Sequence, residues 1–151
     1  MPDTDTPPFQ RAVIALNGGS SDERIVHLVV ELAPKGAELI AVHVVEIDWT
    51  LPLDADIAGR SEEVQQILDS AEAIAEAHKM VLEPVLLQAR DVAAAIVDEA
   101  TERAADLLVV GLPYRKRFGG DFEIGKTVPY ILQNAPCPVW VVREPMSEEP
   151  T

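Results

Sequence analysis

Residues able to hold a phosphate gather in the stretch GGDFEIGKT, Gly119 to Thr127. Gly120, Gly125, Lys126 and Thr127 there complete the pattern G-x-x-x-x-G-K-[ST]. The chemistry of such a loop is electrostatic. Glycine lets the backbone approach an anion, the free N–H groups at the start of a helix point at it, lysine adds a positive charge and threonine a hydroxyl. Arg115, Lys116, Arg117 and Lys126 put four of the chain's 12 basic residues beside these glycines, although the net charge is −14. So acidic a chain excludes nucleic acid as a partner, since a polyanion needs a basic surface. Cations concentrated next to glycines point instead to a small anionic ligand.

The remaining reactive side chains form no comparable set. His43, in AVHVVE, sits among apolar strand residues and reads as packed or bonded to backbone. His27 and His78 belong to separate helices, and no pair of histidines has metal-ligand spacing. The single cysteine, Cys137 in APCPV, excludes an internal disulfide and reads as a small buried residue. Asp48 and Trp49 could border a base-binding pocket or contact a partner protein.

The elements that must position these groups alternate between short apolar runs and helical patterns. AVIAL (Ala12 to Leu16), AELIAVHVVE (Ala37 to Glu46), VLEPVLLQ (Val81 to Gln88), DLLVVG (Asp106 to Gly111) and PVWVV (Pro138 to Val142) read as strands. Pro84 assigns the third of them to a sheet edge or a bulge. Between them, Asp22 to Ala33, Ser61 to Lys79 and the segment after Asp91 read as amphipathic helices. KTVPYILQNA reads as a short helix that tolerates Pro129 only in its first turn. Strands alternating with helices imply an α/β fold: an open, mostly parallel, five-stranded sheet with helices on both faces. Ligands of such sheets bind beyond the carboxyl ends of the strands.

With 151 residues the chain reads as one domain over residues 11–143, with disordered tails at 1–10 and 144–151. Neither a membrane span nor a signal peptide is evident, which implies a cytoplasmic protein with no direct membrane insertion.

The order of elements, VIALNGGSSDE, AELIAVHVVE, ADLLVVG and above all GKTVPYILQNAPCPVWVV, resembles the universal stress proteins, from about Arg11 to Arg143. The resemblance implies a Rossmann-like adenine-nucleotide fold binding ATP or AMP, with magnesium accompanying ATP, and a role as a sensor or regulator in stress response. It implies that Asn17 and the Val44 backbone hold adenine and that Gly19 and Ser20 border the site. Gly111, Gly125, Lys126 and Thr127 would then take ribose and phosphates. Three positions depart from the pattern: Asn17 replaces an aspartate, and Tyr114 and Arg90 stand where glycines are usual. The larger residues would fill space, which favours an alternative: a nucleotide-free dimeric adaptor that docks on another protein, such as a transporter.

A P-loop phosphohydrolase is the third reading. It conflicts with the eight residues, Leu112 to Gly119, that separate LLVVG from the matching glycine, because a P-loop follows its strand directly. Little or no hydrolysis is expected. The final strand is apolar on both faces, and an exposed edge there would pair with the same strand of a second subunit through Val139, Trp140 and Val141.

Overall fold

Two-residue alternation of apolar side chains along the strands sends one set to each face of a sheet, and this decides where the helices pack. The computed structural model describes residues 7–54, 61–116, 120 and 122–146. Strands β1 (Arg11–Leu16), β2 (Glu38–Glu46), β3 (Leu82–Ala89), β4 (Leu107–Leu112) and β7 (Val139–Arg143) form the main sheet. Helices α1 (Asp22–Leu32), α2 (Ser61–Ala77), α3 (Val92–Glu102) and α4 (Thr127–Asn134) connect them. Two short strands, β5 (Arg115–Lys116) and β6 (Phe122–Glu123), make a separate antiparallel ribbon.

The sheet order is β3-β2-β1-β4-β7, with every neighbouring pair parallel. Chain order runs outward from β1 in both directions, so the winding reverses between β1 and β4. Ala12, Ile14 and Leu16 face one core with Ile25 and Val29 of α1 and Leu68 and Ala75 of α2. Val13 and Ala15 face the other, with Ile96 and Ala100 of α3 and Ile131 of α4. The five-stranded parallel sheet covered on both faces is the architecture expected from the sequence. As Pro84 required, β3 is an edge strand, while β7 forms the opposite edge.

Local details differ from the expected boundaries for identifiable reasons. Asp106 precedes its strand and caps the start of β1 instead. Its carboxylate accepts the backbone N–H of Gln10 at 2.9 Å and of Arg11 at 2.9 Å. α2 stops at Ala77 because Lys79 turns into the left-handed region, φ 59°. Phe9, inside the stretch expected to be a tail, is only 1% exposed and packs edge-on against Trp140 with ring centroids 5.7 Å apart. The packed unit therefore begins before Arg11. At the other end the Glu144 N–H donates to the Leu112 carbonyl at 2.8 Å, carrying the β4–β7 ladder past Arg143. The rest of the expected tails, residues 1–6 and 147–151, lies outside the described residues.

Candidate functional site

The carboxyl ends of β1 and β4 separate at the winding reversal and leave an open cleft of about 900 Å³, within the size range of small-molecule sites. Loop β1–α1 forms one wall. Its glycines permit a tight turn, with Gly18 at φ 81°, and Asn17 Oδ1 accepts the Gly19 N–H at 2.7 Å. Asp22, the first residue of α1 and 8% exposed, lies beneath this loop. Its two oxygens accept the Asn17 N–H at 3.1 Å and the Gly18 N–H at 2.8 Å. Burial pushes the Asp22 carboxyl above its ordinary value and nearby Glu144 adds to the effect. The two N–H bonds and His43 oppose it.

The end of β2 supplies Val44, Val45 and Glu46 to the cleft, and His43 lines it from below. His43 Nδ1 lies 3.0 Å from the Leu16 carbonyl, which can only accept, so Nδ1 carries the proton and ties β2 to β1. This is the backbone-bonded histidine expected from the sequence. Gly111, near the end of β4, packs closely on Ile25 of α1. A Cβ there would stand 2.9 Å from Ile25 Cδ1 and 3.7 Å from Asn17 Nδ2.

Opposite this wall, Gly125 takes φ 79° and delivers the chain into α4, whose N-cap is Lys126 and whose first residue is Thr127. Pro129 lies in the first turn, where its missing N–H breaks no helical bond. The match to G-x-x-x-x-G-K-[ST] encloses β6 and follows β5 of the ribbon, not a strand of the parallel sheet. That context is not a P-loop's.

Asn17, Gly19, Val44, Gly111, Gly125, Lys126 and Thr127 all line one cleft. Ser20 does not: the turn closed by the Asp22 N–H on the Gly19 carbonyl at 3.3 Å leaves it exposed outside the lining. Arg90 lies outside the cleft too. It donates to the Asp48 carbonyl and places its guanidinium 5.2 Å from the centre of the Trp49 ring, so it holds the loop after β2 instead of filling the pocket. Trp49, 79% exposed, and Asp48 are not part of the lining. Tyr114 does line the cleft. It stacks on Phe122, centroids 5.3 Å apart, with the Arg143 guanidinium 5.0 Å from its ring centre.

Sequence reasoning missed the contribution of α2, through Glu63, Val64 and Ile67, and the carboxylates of Glu46, Glu123 and Glu144. Glu46 and Glu144 stand at the carboxyl ends of parallel strands, a signal the sequence did carry. Nothing local marked the α2 residues. His27 and His78, remote in sequence, meet edge-on with centroids 5.8 Å apart. Among the described residues no three His, Cys, Asp or Glu side chains come together as a metal site, and no helix is long and apolar enough to cross a membrane.

Known proteins share this fold. The chain is 31% identical over 137 residues to the sensor protein KdpD of Mycobacterium tuberculosis (strain CDC 1551 / Oshkosh), a match covering 90% of this chain but 14% of that protein. The chain thus spans a small part of the length of that relative. The universal stress protein from Archaeoglobus fulgidus in complex with dAMP superposes with a TM-score of 0.66 at 23% identity, covering 88% of this chain and 97% of that one. A universal stress protein family protein from Arabidopsis thaliana with AMP bound gives a TM-score of 0.64 at 16% identity, covering 94% and 97%. At these identities the structural likeness is one of fold. The family model described as the universal stress protein family matches residues 8–143, so the chain belongs to that family.

Proposed function

We propose that this chain binds an adenine nucleotide, ATP or AMP, in the cleft between β1 and β4 and acts as a cytoplasmic sensor or regulatory module in stress response. One observation carries the reading: Asn17, Gly111 and Gly125–Lys126–Thr127, from three separate parts of the chain, converge on a single cleft at the winding reversal. Adenine would lie against Asn17 and the Val44 backbone. Gly111 would allow the ribose to approach, and Lys126 with Thr127 would face phosphate. The relatives with dAMP and AMP bound support this assignment, and the likeness to part of a sensor protein supports the regulatory role. A magnesium ion would enter as counter-ion of a triphosphate, because the described side chains offer no cluster of three metal ligands. The module would bind and release its ligand with at most slow hydrolysis, and would work as a homodimer through β7.

Calorimetric titration with AMP and ATP tests the reading, together with mass spectrometry of small molecules released from the purified protein. Saturable binding lost in Lys126→Ala supports it, and the absence of binding by either nucleotide overturns it. The bulk of Tyr114 in the cleft lining, held by Phe122 and Arg143 stacked on its ring, favours a second reading, a nucleotide-free dimeric adaptor docking on a protein partner. That reading requires a dimer that binds no nucleotide in the same titration.

A further inference from the structure

The loop that leaves β2 exposes Trp49 by 79%, Leu51 by 48% and Leu53 by 49%. One exposed leucine is ordinary, but three large apolar side chains at alternate positions of one short loop are not. The loop is also held in shape. Asp48 Oδ1 accepts the Thr50 N–H at 2.9 Å and the Thr50 hydroxyl at 3.0 Å, and the Asp48 carbonyl accepts the Leu51 N–H at 3.0 Å. Ile47, 2% exposed, anchors the start of the loop, where its N–H donates to the Ala89 carbonyl at 2.8 Å. Arg90, just past the end of β3, reaches both the Asp48 carbonyl and the Trp49 ring. The backbone that displays Trp49 is therefore set before any partner arrives, which lowers the ordering cost of binding.

Charge decides what such a loop fits. Over residues 46–63 the sequence carries six acidic residues, Glu46, Asp48, Asp54, Asp56, Glu62 and Glu63, and one basic residue, Arg60. The bonds from Thr50, backbone N–H first and hydroxyl second, hold the Asp48 carboxyl below its ordinary pKa, so it stays ionised at neutral pH. Anionic lipid and nucleic acid are repelled by such a segment. A second copy would bring the same acidic residues against these, on a chain whose net charge is −14. A cationic protein surface fits both features: an apolar pocket receives Trp49, and lysines or arginines at its rim meet the carboxylates.

We propose that residues 47–54 form a docking knob, with Trp49 as its anchor, for a protein partner that presents an apolar pocket rimmed by lysine and arginine. The inference stands apart from the nucleotide reading, because Asp48 and Trp49 lie outside the cleft lining. Glu46, two residues before Asp48, does line the cleft, so the docked partner would sit beside it.

The test begins with the full chain carrying Leu53→p-benzoylphenylalanine, which leaves Trp49 in place, irradiated in the cells that make it. The protein it cross-links is then purified and titrated against the chain without the photoreactive residue. Wild type should bind that protein at least about tenfold more tightly than Trp49→Ala does, with equal urea midpoints for the two forms, since the side chain is exposed. Affinity should fall as salt is raised, and Asp54→Lys should weaken binding by about threefold or more. Cross-linking to nothing, to lipid or only to a second copy of the chain would overturn the proposal. A cross-linked protein that binds Trp49→Ala as tightly as wild type would overturn it too, as would an affinity that responds to neither salt nor Asp54→Lys.

Discussion

The Asp22 carboxylate holds the Gly18 N–H at 2.8 Å from a position almost closed to solvent. Burial dominates its ionisation and raises its pKa, with Glu144 adding to the shift and His43 opposing it. Between the ordinary carboxylate pKa and the raised folded value, the folded state binds more protons than the unfolded one. The contribution of this site to stability therefore falls as pH rises through that window. The stability of wild type relative to Asp22→Asn should increase as pH is lowered from neutral into the window, then level off. Urea midpoints measured for both proteins over a pH series check this. A difference that shrinks on acidification would mean that the hydrogen bonds outweigh burial.

Lys126 caps α4 immediately after Gly125, beside the proposed phosphate position. A hydrogen bond to a charged group contributes about 1.5–3 kcal/mol. Lys126→Ala should thus weaken AMP binding by about tenfold or more without lowering the melting temperature, because the side chain makes no cap bond. Equal affinity in calorimetry would take Lys126 out of the site.

Gly111→Ala should act on stability and on the cleft together. The new methyl would stand 2.9 Å from Ile25 Cδ1, and Ile25 is 1% exposed, so the side chain has little room to yield. Overpacking of this kind costs about 1–3 kcal/mol. Asn17 Nδ2 lies at an ordinary contact distance, 3.7 Å, from the same methyl, but Gly111 lines the cleft, so nucleotide affinity should fall in the folded fraction through the space the methyl takes from the proposed ribose. A variant with parental stability in urea would show that Ile25 finds another rotamer at little cost.

The pattern of elements was legible because its signals are local. Four apolar runs and PVWVV became the sheet, Pro84 marked an edge, and Asp91 caps α3 by accepting the Ala94 N–H at 3.1 Å. The rule that parallel sheets bind ligands at their carboxyl ends pointed to the loops after the strands, while Asn17, Gly111 and Gly125 themselves came from the resemblance to the universal stress proteins. Other features depend on contacts between distant segments, which no window of sequence contains. Phe9 is buried only because Trp140 arrives from the last strand, and Asp106 caps a strand 95 residues away. Arg90 leaves the cleft because Trp49 offers it a ring. Strands of two residues, such as β5 and β6, are too short to show any periodicity, so the Tyr114–Phe122 stack carried no signal either.

Dimerisation through β7 turns on which groups its free edge presents. The Pro138 carbonyl accepts from Leu108 N–H at 3.0 Å and the Glu144 N–H donates to Leu112, so the even-numbered residues of this stretch turn their backbone groups toward β4. By the alternation of a parallel ladder, Val139, Val141 and Arg143 present theirs to the open edge. Trp140 packs on Phe9 within its own subunit, which leaves the 39%-exposed Val141 as the apolar side chain best placed for a partner. Val141→Pro removes an outward N–H while sparing the bonds to β4, and proline is tolerated on an edge strand. If two β7 strands pair about a two-fold axis, the variant should remain folded and sediment as a monomer where the parent sediments as a dimer. Wild type that is monomeric at micromolar concentration, or a folded Val141→Pro variant that stays dimeric, would rule out pairing through this edge.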